Sequence, residues 1–183
     1  LIIMMAIYIM RDIFPGGENY YLRSDMYHQY APFFSELWEK IRTGESLAYS
    51  WDIGMGTNFL ALFGYYLSSP ANWFIALFPQ KWIVEVMDMM IIIKIALASF
   101  TFTYYLCKHN NKRHISAAIF GLFYALSGFV TAYSWNLMWL DSVLLFPLII
   151  LGLEKLVNEG KGLLYSISLG MAILSNYYIA IMI

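Results

Sequence analysis

Between Leu22 and Phe34 the chain reads LRSDMYHQYAPFF, which places Arg23, Asp25, His28 and Gln29 beside a wall of aromatic residues. Residues three and four apart on a helix are neighbours, so His28 and Gln29 can reach the same site as Asp25. In such a set Asp25 can serve as a general base or ligate a metal. Arg23 can hold a phosphate through two parallel hydrogen bonds. Ser24 or Asp25 is equally well typed to cap the helix that follows, where the helix dipole favours a carboxylate. Residue types alone leave both readings of Asp25 open.

Further polar residues sit inside apolar surroundings. Lys94, in IIIKIAL, falls near the middle of a hydrophobic segment. A lysine at the centre of a bilayer costs about 2.5–3.5 kcal/mol on insertion scales, so it must face protein or a wet cavity. It pairs there either with a donor phosphate or with a structural carboxylate. Asn136 and Asp141, in WNLMWLDS, are candidates for lining the same site, whereas Trp135 and Trp139 have the character of an interfacial belt. Asn176, Tyr177 and Tyr178 approach the outer face and are placed either to touch a sugar or to belong to that belt. Glu85 and Asp88 share one helix face and read as an interface marker. GMGTN (54–58) reads as a turn, since it follows no strand and lacks a third glycine. His109 and His114 only add charge to a basic loop. No HExxH, paired-cysteine or Ser-His-Asp signature is present.

The elements that must position these residues are membrane helices. Hydrophobic residues make up 61% of the 183 and charged residues 13%, against nearer half and one quarter in soluble domains. The net charge of −1 gives no case for nucleic acid as a partner, and the single Cys107 cannot form an internal disulfide. Four spans are expected at 82–107, 115–134, 136–154 and 163–183, each near the roughly 20 residues that cross a bilayer. Residues 1–10 read as the end of a first span. The chain therefore reads as an internal fragment of a larger membrane protein, beginning and ending late in a span.

Loop charge sets the expected orientation. KHNNKRH (108–114) and KLVNEGKG, with Lys155 and Lys161, face the cytoplasm, and the acidic-rich loop 11–81 faces outside. Tyr30, Phe33, Phe34, Leu37, Trp38 and Ile41 form one apolar stripe, which predicts an amphipathic juxtamembrane helix over 26–43 lying along the membrane surface. Glu36, Glu39, Lys40 and Arg42 fall on its other faces, Pro32 kinks or restarts it, and Gly44 ends it. The apolar stretch 58–79 is broken by Ser68, Ser69 and Pro70, with Ser69 as N-cap and Pro70 as first helical position. It reads as a re-entrant or interfacial hairpin, with a full span as the alternative.

Several motifs carry a family resemblance. RSDMYHQYAPFFSELWEKIRTGESLAYSWDIGMGTNF, YYLSSPANWF, WNLMWLDSVLLFPLIILGLEKL and SNYYIAIM, in this order, resemble the N-terminal part of the YfhO-type bacterial membrane proteins. That family is similar to the GT-C class of polytopic glycosyltransferases. The resemblance implies an all-α, polytopic transmembrane helix bundle in the bacterial cell membrane, with its active site on the outer face. It implies transfer of a sugar from a polyprenyl-phosphate carrier to a cell-envelope polymer or lipid, of the teichoic or lipoteichoic acid class. Asp25 matches the essential acidic residue of the first outer loop, as base or as ligand of a divalent metal (Mg or Mn). Many members of the class pair that residue with a second acid, and here no carboxylate lies within two residues of Asp25. Arg23, His28, Gln29, Lys94, Asn136, Asp141, Asn176 and Tyr177 are the expected substrate-binding residues. A flippase of lipid-linked sugars and a non-catalytic scaffold are the rival readings.

Overall fold

The computed structural model describes residues 1–183, and the chain is all-helical. Helix α1 (Ile2–Met10) leads into an irregular segment. A π-helical turn (Met26–Tyr30) then runs directly into α2 (Ala31–Thr43), with Pro32 in its first turn. Gly44 closes α2 at φ 77°, the left-handed conformation that glycine adopts without cost. After α3 (Phe59–Leu62), whose N-cap Asn58 accepts from the Ala61 amide, a second π turn (Phe63–Leu67) stops at Ser68. Pro70 then opens a 3₁₀ helix (Pro70–Leu77). The 58–79 stretch is thus two short halves rather than one continuous helix.

The remaining helices make the bundle. They are α4 (Ile83–His109), α5 (Ile115–Ala125), α6 (Gly128–Tyr133), α7 (Leu140–Glu159), α8 (Leu163–Ser175) and α9 (Tyr177–Ala180). Helix α4 is the central beam, with α5 and α7 against it and α8 against α7. The buried core runs from Met4 and Tyr8 through Met26, Phe34, Leu37 and Phe59 to Met87, Ile91 and Ile92. One stretch, Ile115–Tyr133, is long and apolar enough by itself to cross a membrane, and Ile115, Ile119, Phe120, Phe123 and Phe129 face outward from it. Helix α4 has the length but also carries Glu85, Asp88, Lys94 and Lys108.

Three segments depart from the sequence expectation. The 115–134 segment breaks between Ala125 and Gly128. In place of 136–154, α7 runs from Leu140 to Glu159, because residues 136–139 are held in turns by the Tyr133, Trp135 and Asn136 carbonyls. The 163–183 segment is interrupted at Asn176, which adopts an extended φ of −162° and caps α9 through the Ile179 amide.

Helix α2 is also more deeply held than a helix resting on a membrane surface. Glu36 and Lys40 are buried and paired at 3.2 Å. Lys40 Nζ donates to the Tyr49 carbonyl at 3.0 Å and lies over the Phe59 ring. The cause is the loop after Gly44, which folds back over this face. Ser50 and Thr57 exchange backbone hydrogen bonds there, closed by the turn that contains Gly54 and Gly56.

Close helix contacts depend on small residues, as is general where lipid supplies no hydrophobic drive between helices. A Cβ on Gly152 would stand 2.5 Å from the Tyr165 backbone nitrogen and 2.6 Å from its Cα, whereas one on Gly170 would meet nothing. Gly152→Ala is therefore expected to force α7 and α8 apart and cost about 1–3 kcal/mol. Gly170→Ala is expected to be neutral or stabilising by up to about 1 kcal/mol. Thermal unfolding of the two detergent-solubilised variants checks the contrast.

Candidate functional site

The segment that carries Asp25 is fixed by a buried stripe. Met26, Tyr30, Phe34 and Leu37 are 0–4% exposed and clamp the π turn and α2 to the core. Asp25, at the edge of that stripe, is half-buried, and Arg23 and His28 are exposed. Ser24 takes a φ of 47°, which swings the chain into the helix. Neither Ser24 nor Asp25 caps that helix by a side-chain hydrogen bond. Residue 25 is already in helical conformation, and the Met26 and Tyr27 amides are taken by the Arg23 and Ser24 carbonyls. The Asp25 carboxylate is therefore not spent on the backbone.

Two phenols surround it. The Tyr30 hydroxyl donates to Asn136 Oδ1 at 2.6 Å, and the Tyr66 hydroxyl donates to Gln29 Oε1 at 3.0 Å. The two rings pack 5.5 Å apart, and Trp135 stacks on the far side of Tyr30. Burial, and after it the Asp25 charge, pushes the Tyr30 hydroxyl well above the ordinary tyrosine range. Asp25 acts on Tyr66 as well. Tyr30 accordingly keeps its proton at physiological pH and remains a donor. Each amide is held by its oxygen end. Asn136 is buried, and its Nδ2 has no partner.

The expected substrate-binding residues divide between this site and the core. Gln29 and Asn136 come together around Asp25, with Arg23 and His28 on its rim. Lys94 and Asp141 do not join it as free ligands. They are 3% and 6% exposed and form an ion pair at 2.7 Å, and Lys94 Nζ also donates to the Leu137 carbonyl at 3.1 Å. Their role is one step removed, since Leu137 adjoins Asn136. Asn176 is fully buried, with its Nδ2 on the Tyr65 carbonyl and its Oδ1 on the Ile179 amide. It ties the hairpin to α9. Tyr177, half-exposed, packs edge-on against Tyr65 and lines the apolar cavity beside α8. Tyr30 and Tyr66 were missed because Tyr30 falls on the apolar stripe of α2 and Tyr66 on the apolar hairpin. The positions directly before the Ser68–Pro70 break are the one signal that could have singled out Tyr66.

Asp25 is the lone carboxylate of this cluster, and no group of three His, Cys, Asp or Glu side chains converges around it. The residues around Asp25 do not fit a resident divalent metal. Two cavities lie elsewhere. One of about 410 Å³ opens beside Lys112 and His114 at the basic loop, and a wholly apolar one of about 480 Å³ lies between α7 and α8.

The ion pair offers a direct test. Removing one partner strands the other charge in the core, and a buried pair broken in this way costs about 3–5 kcal/mol. Lys94→Met and Asp141→Leu are each expected to lower thermal stability sharply. The double variant should recover most of the loss, and a double-mutant cycle in detergent measures the coupling.

No curated protein and no solved structure matches the chain. The family model described as bacterial membrane protein YfhO matches residues 1–183, the whole of the chain. The chain belongs to the YfhO family of bacterial membrane proteins.

Proposed function

We propose that this chain belongs to a GT-C-like glycosyltransferase. It moves a sugar from a polyprenyl-phosphate carrier to a cell-envelope polymer or lipid on the outer face of the membrane. The observation that carries the reading is the Asp25 carboxylate. It is half-buried, unspent on any cap, and flanked by amides that phenol hydroxyls hold by their oxygen ends.

In this reading the bundle spans the membrane several times, α2 lies at the lipid–water boundary, and the 58–79 halves form an interfacial hairpin beside it. The carrier's prenyl tail remains in lipid and its phosphate reaches the boundary. Asp25 accepts the proton of the acceptor hydroxyl as its oxygen forms the new bond to the sugar C1. The bond from C1 to the phosphate oxygen breaks with its electron pair, and polyprenyl phosphate leaves. Arg23 and His28 meet the phosphate, and the Gln29 and Asn136 amide donors orient sugar or phosphate oxygens. Lys94 and Asp141 neutralise each other and hold Asn136 in place. A teichoic or lipoteichoic acid is the acceptor class that the family resemblance suggests.

Asp25→Asn in the full-length protein, expressed to wild-type level in a deletion strain, tests this reading. Loss of a general base lowers turnover by about 10²–10⁴-fold. Envelope polymers should lose their sugar and the lipid-linked donor should accumulate. Because Asp25 makes no capping bond, folding should be unaffected. Unchanged glycosylation would overturn the assignment and leave transport of the lipid-linked sugar, or a scaffold role, as the function.

A further inference from the structure

A second polar cluster, separate from the Asp25 site, lies where α4 begins. Asp88 is fully buried, and its Oδ2 accepts from the Tyr21 amide at 3.0 Å while Oδ1 has no partner. One helical step earlier, Glu85 Oε1 accepts from the Tyr20 hydroxyl at 3.1 Å, and its Oε2 is buried without a partner. Tyr8 of α1 is 3% exposed, and its hydroxyl is likewise unpartnered. Its ring stacks at 5.9 Å on Tyr21, the residue whose backbone amide Asp88 accepts from. The Tyr21 hydroxyl is already engaged with Ser134 Oγ.

None of the chain's ion pairs includes Glu85 or Asp88. Two carboxylates on one helix face, each with a buried oxygen that nothing satisfies, are costly without a positive partner. Their hydrogen-bond partners are a phenol hydroxyl and a backbone amide, and neither carries a positive charge. We propose that Glu85, Asp88 and Tyr8 bind a hard divalent cation of the calcium or magnesium type.

The donor set is Glu85 Oε2, Asp88 Oδ1 and the Tyr8 hydroxyl. Two carboxylates match a charge of +2, and hard oxygen donors suit these ions, which complete their shells with water. The absence of imidazole or thiolate disfavours zinc and copper. Glu85 is half-buried and provides the way in. Bound there, the ion ties α1 to α4 and fixes the irregular Tyr20–Tyr21 segment that leads to Arg23 and Asp25. This inference does not rest on the glycosyltransferase reading.

The test uses the full-length protein, extracted in detergent and stripped of divalent ions at pH 7.5, with ionic strength held constant. CaCl₂ and MgCl₂ are titrated separately and thermal unfolding is followed. At ten times the half-saturating concentration the midpoint should rise by about 3–5 °C. Asp88→Asn should abolish the shift yet stay folded, because its amide oxygen still accepts from Tyr21. Glu85→Gln and Tyr8→Phe should each raise the half-saturating concentration about tenfold or more. Terbium, a calcium surrogate, should be sensitised by the adjacent tyrosines and displaced by calcium in the wild type alone. A wild-type midpoint indifferent to both ions would overturn the proposal, as would an equal shift in Asp88→Asn. A wild type unresponsive to cations whose Asp88→Asn variant is more stable would also overturn it, and would identify Asp88 as a buried neutral acid.

Discussion

The contact between Lys94 and Asp141 constrains the rest of the molecule. A lysine in mid-helix and an aspartate in the first turn of another helix are each costly in an apolar bundle, and each is the other's remedy. Their 2.7 Å contact sets the register of α4 against α7. The ammonium also takes the Leu137 carbonyl, so the turn before α7 cannot relax into a longer helix without losing a buried bond. That turn is what aims Asn136 at Tyr30. Through Tyr30 the constraint reaches the π turn and the Asp25 carboxylate, which lies more than a hundred residues away in sequence.

A second set of ties comes from the broken helices. Asn176 interrupts the last apolar segment, and with that interruption its side chain binds the Tyr65 carbonyl. Ser68, at the break in the hairpin, donates to the Leu174 carbonyl. The breaks free backbone groups, and the Tyr65, Leu174 and Ser175 carbonyls find partners across the interface between hairpin and bundle. Irregular backbone is tolerated here because protein covers it. The outcome places Tyr66, and with it Gln29, beside Asp25.

These ties explain what could be read from the sequence. The α4 beam follows from a long, mostly apolar run free of Gly and Pro, the end of α2 from Gly44, and the hairpin break from Ser68 to Pro70, since each rests on local preference. Asp25, Gln29 and Asn136 were legible as candidates because a polar side chain in an apolar setting needs a purpose. The partner of Lys94 was not, because it lies 47 residues away and nothing local distinguishes Asp141 from a residue lining a cavity. The starts of α7 and α9 were hidden for a related reason. Nothing local shows that Asn136 and Asn176 interrupt a helix, because it is their tertiary partners that pull the side chains inward. Tyr30 and Tyr66 were hidden by their own chemistry, since a phenol counts as apolar in a periodic stripe while its hydroxyl does the orienting.

The two polar systems of α4 also show why neither can serve the other. Asp88 and Lys94 are six residues apart, a rise of about 9 Å and a rotation that places them on different faces of the helix. Lys94 looks toward α7, and Asp88 looks toward the Tyr21 segment. Had they been spaced four apart they would have cancelled within α4, and the helix would need nothing from its neighbours. Displaced as they are, each charge must be answered from outside. Lys94 takes a carboxylate from α7, and Asp88 takes a backbone amide that satisfies only one of its two oxygens. The remaining oxygen, with those of Glu85 and Tyr8, faces a demand that a divalent cation meets. Helix α4 thus recruits α7 on one face and the polar loop on another, and the Asp25 segment is suspended between the two.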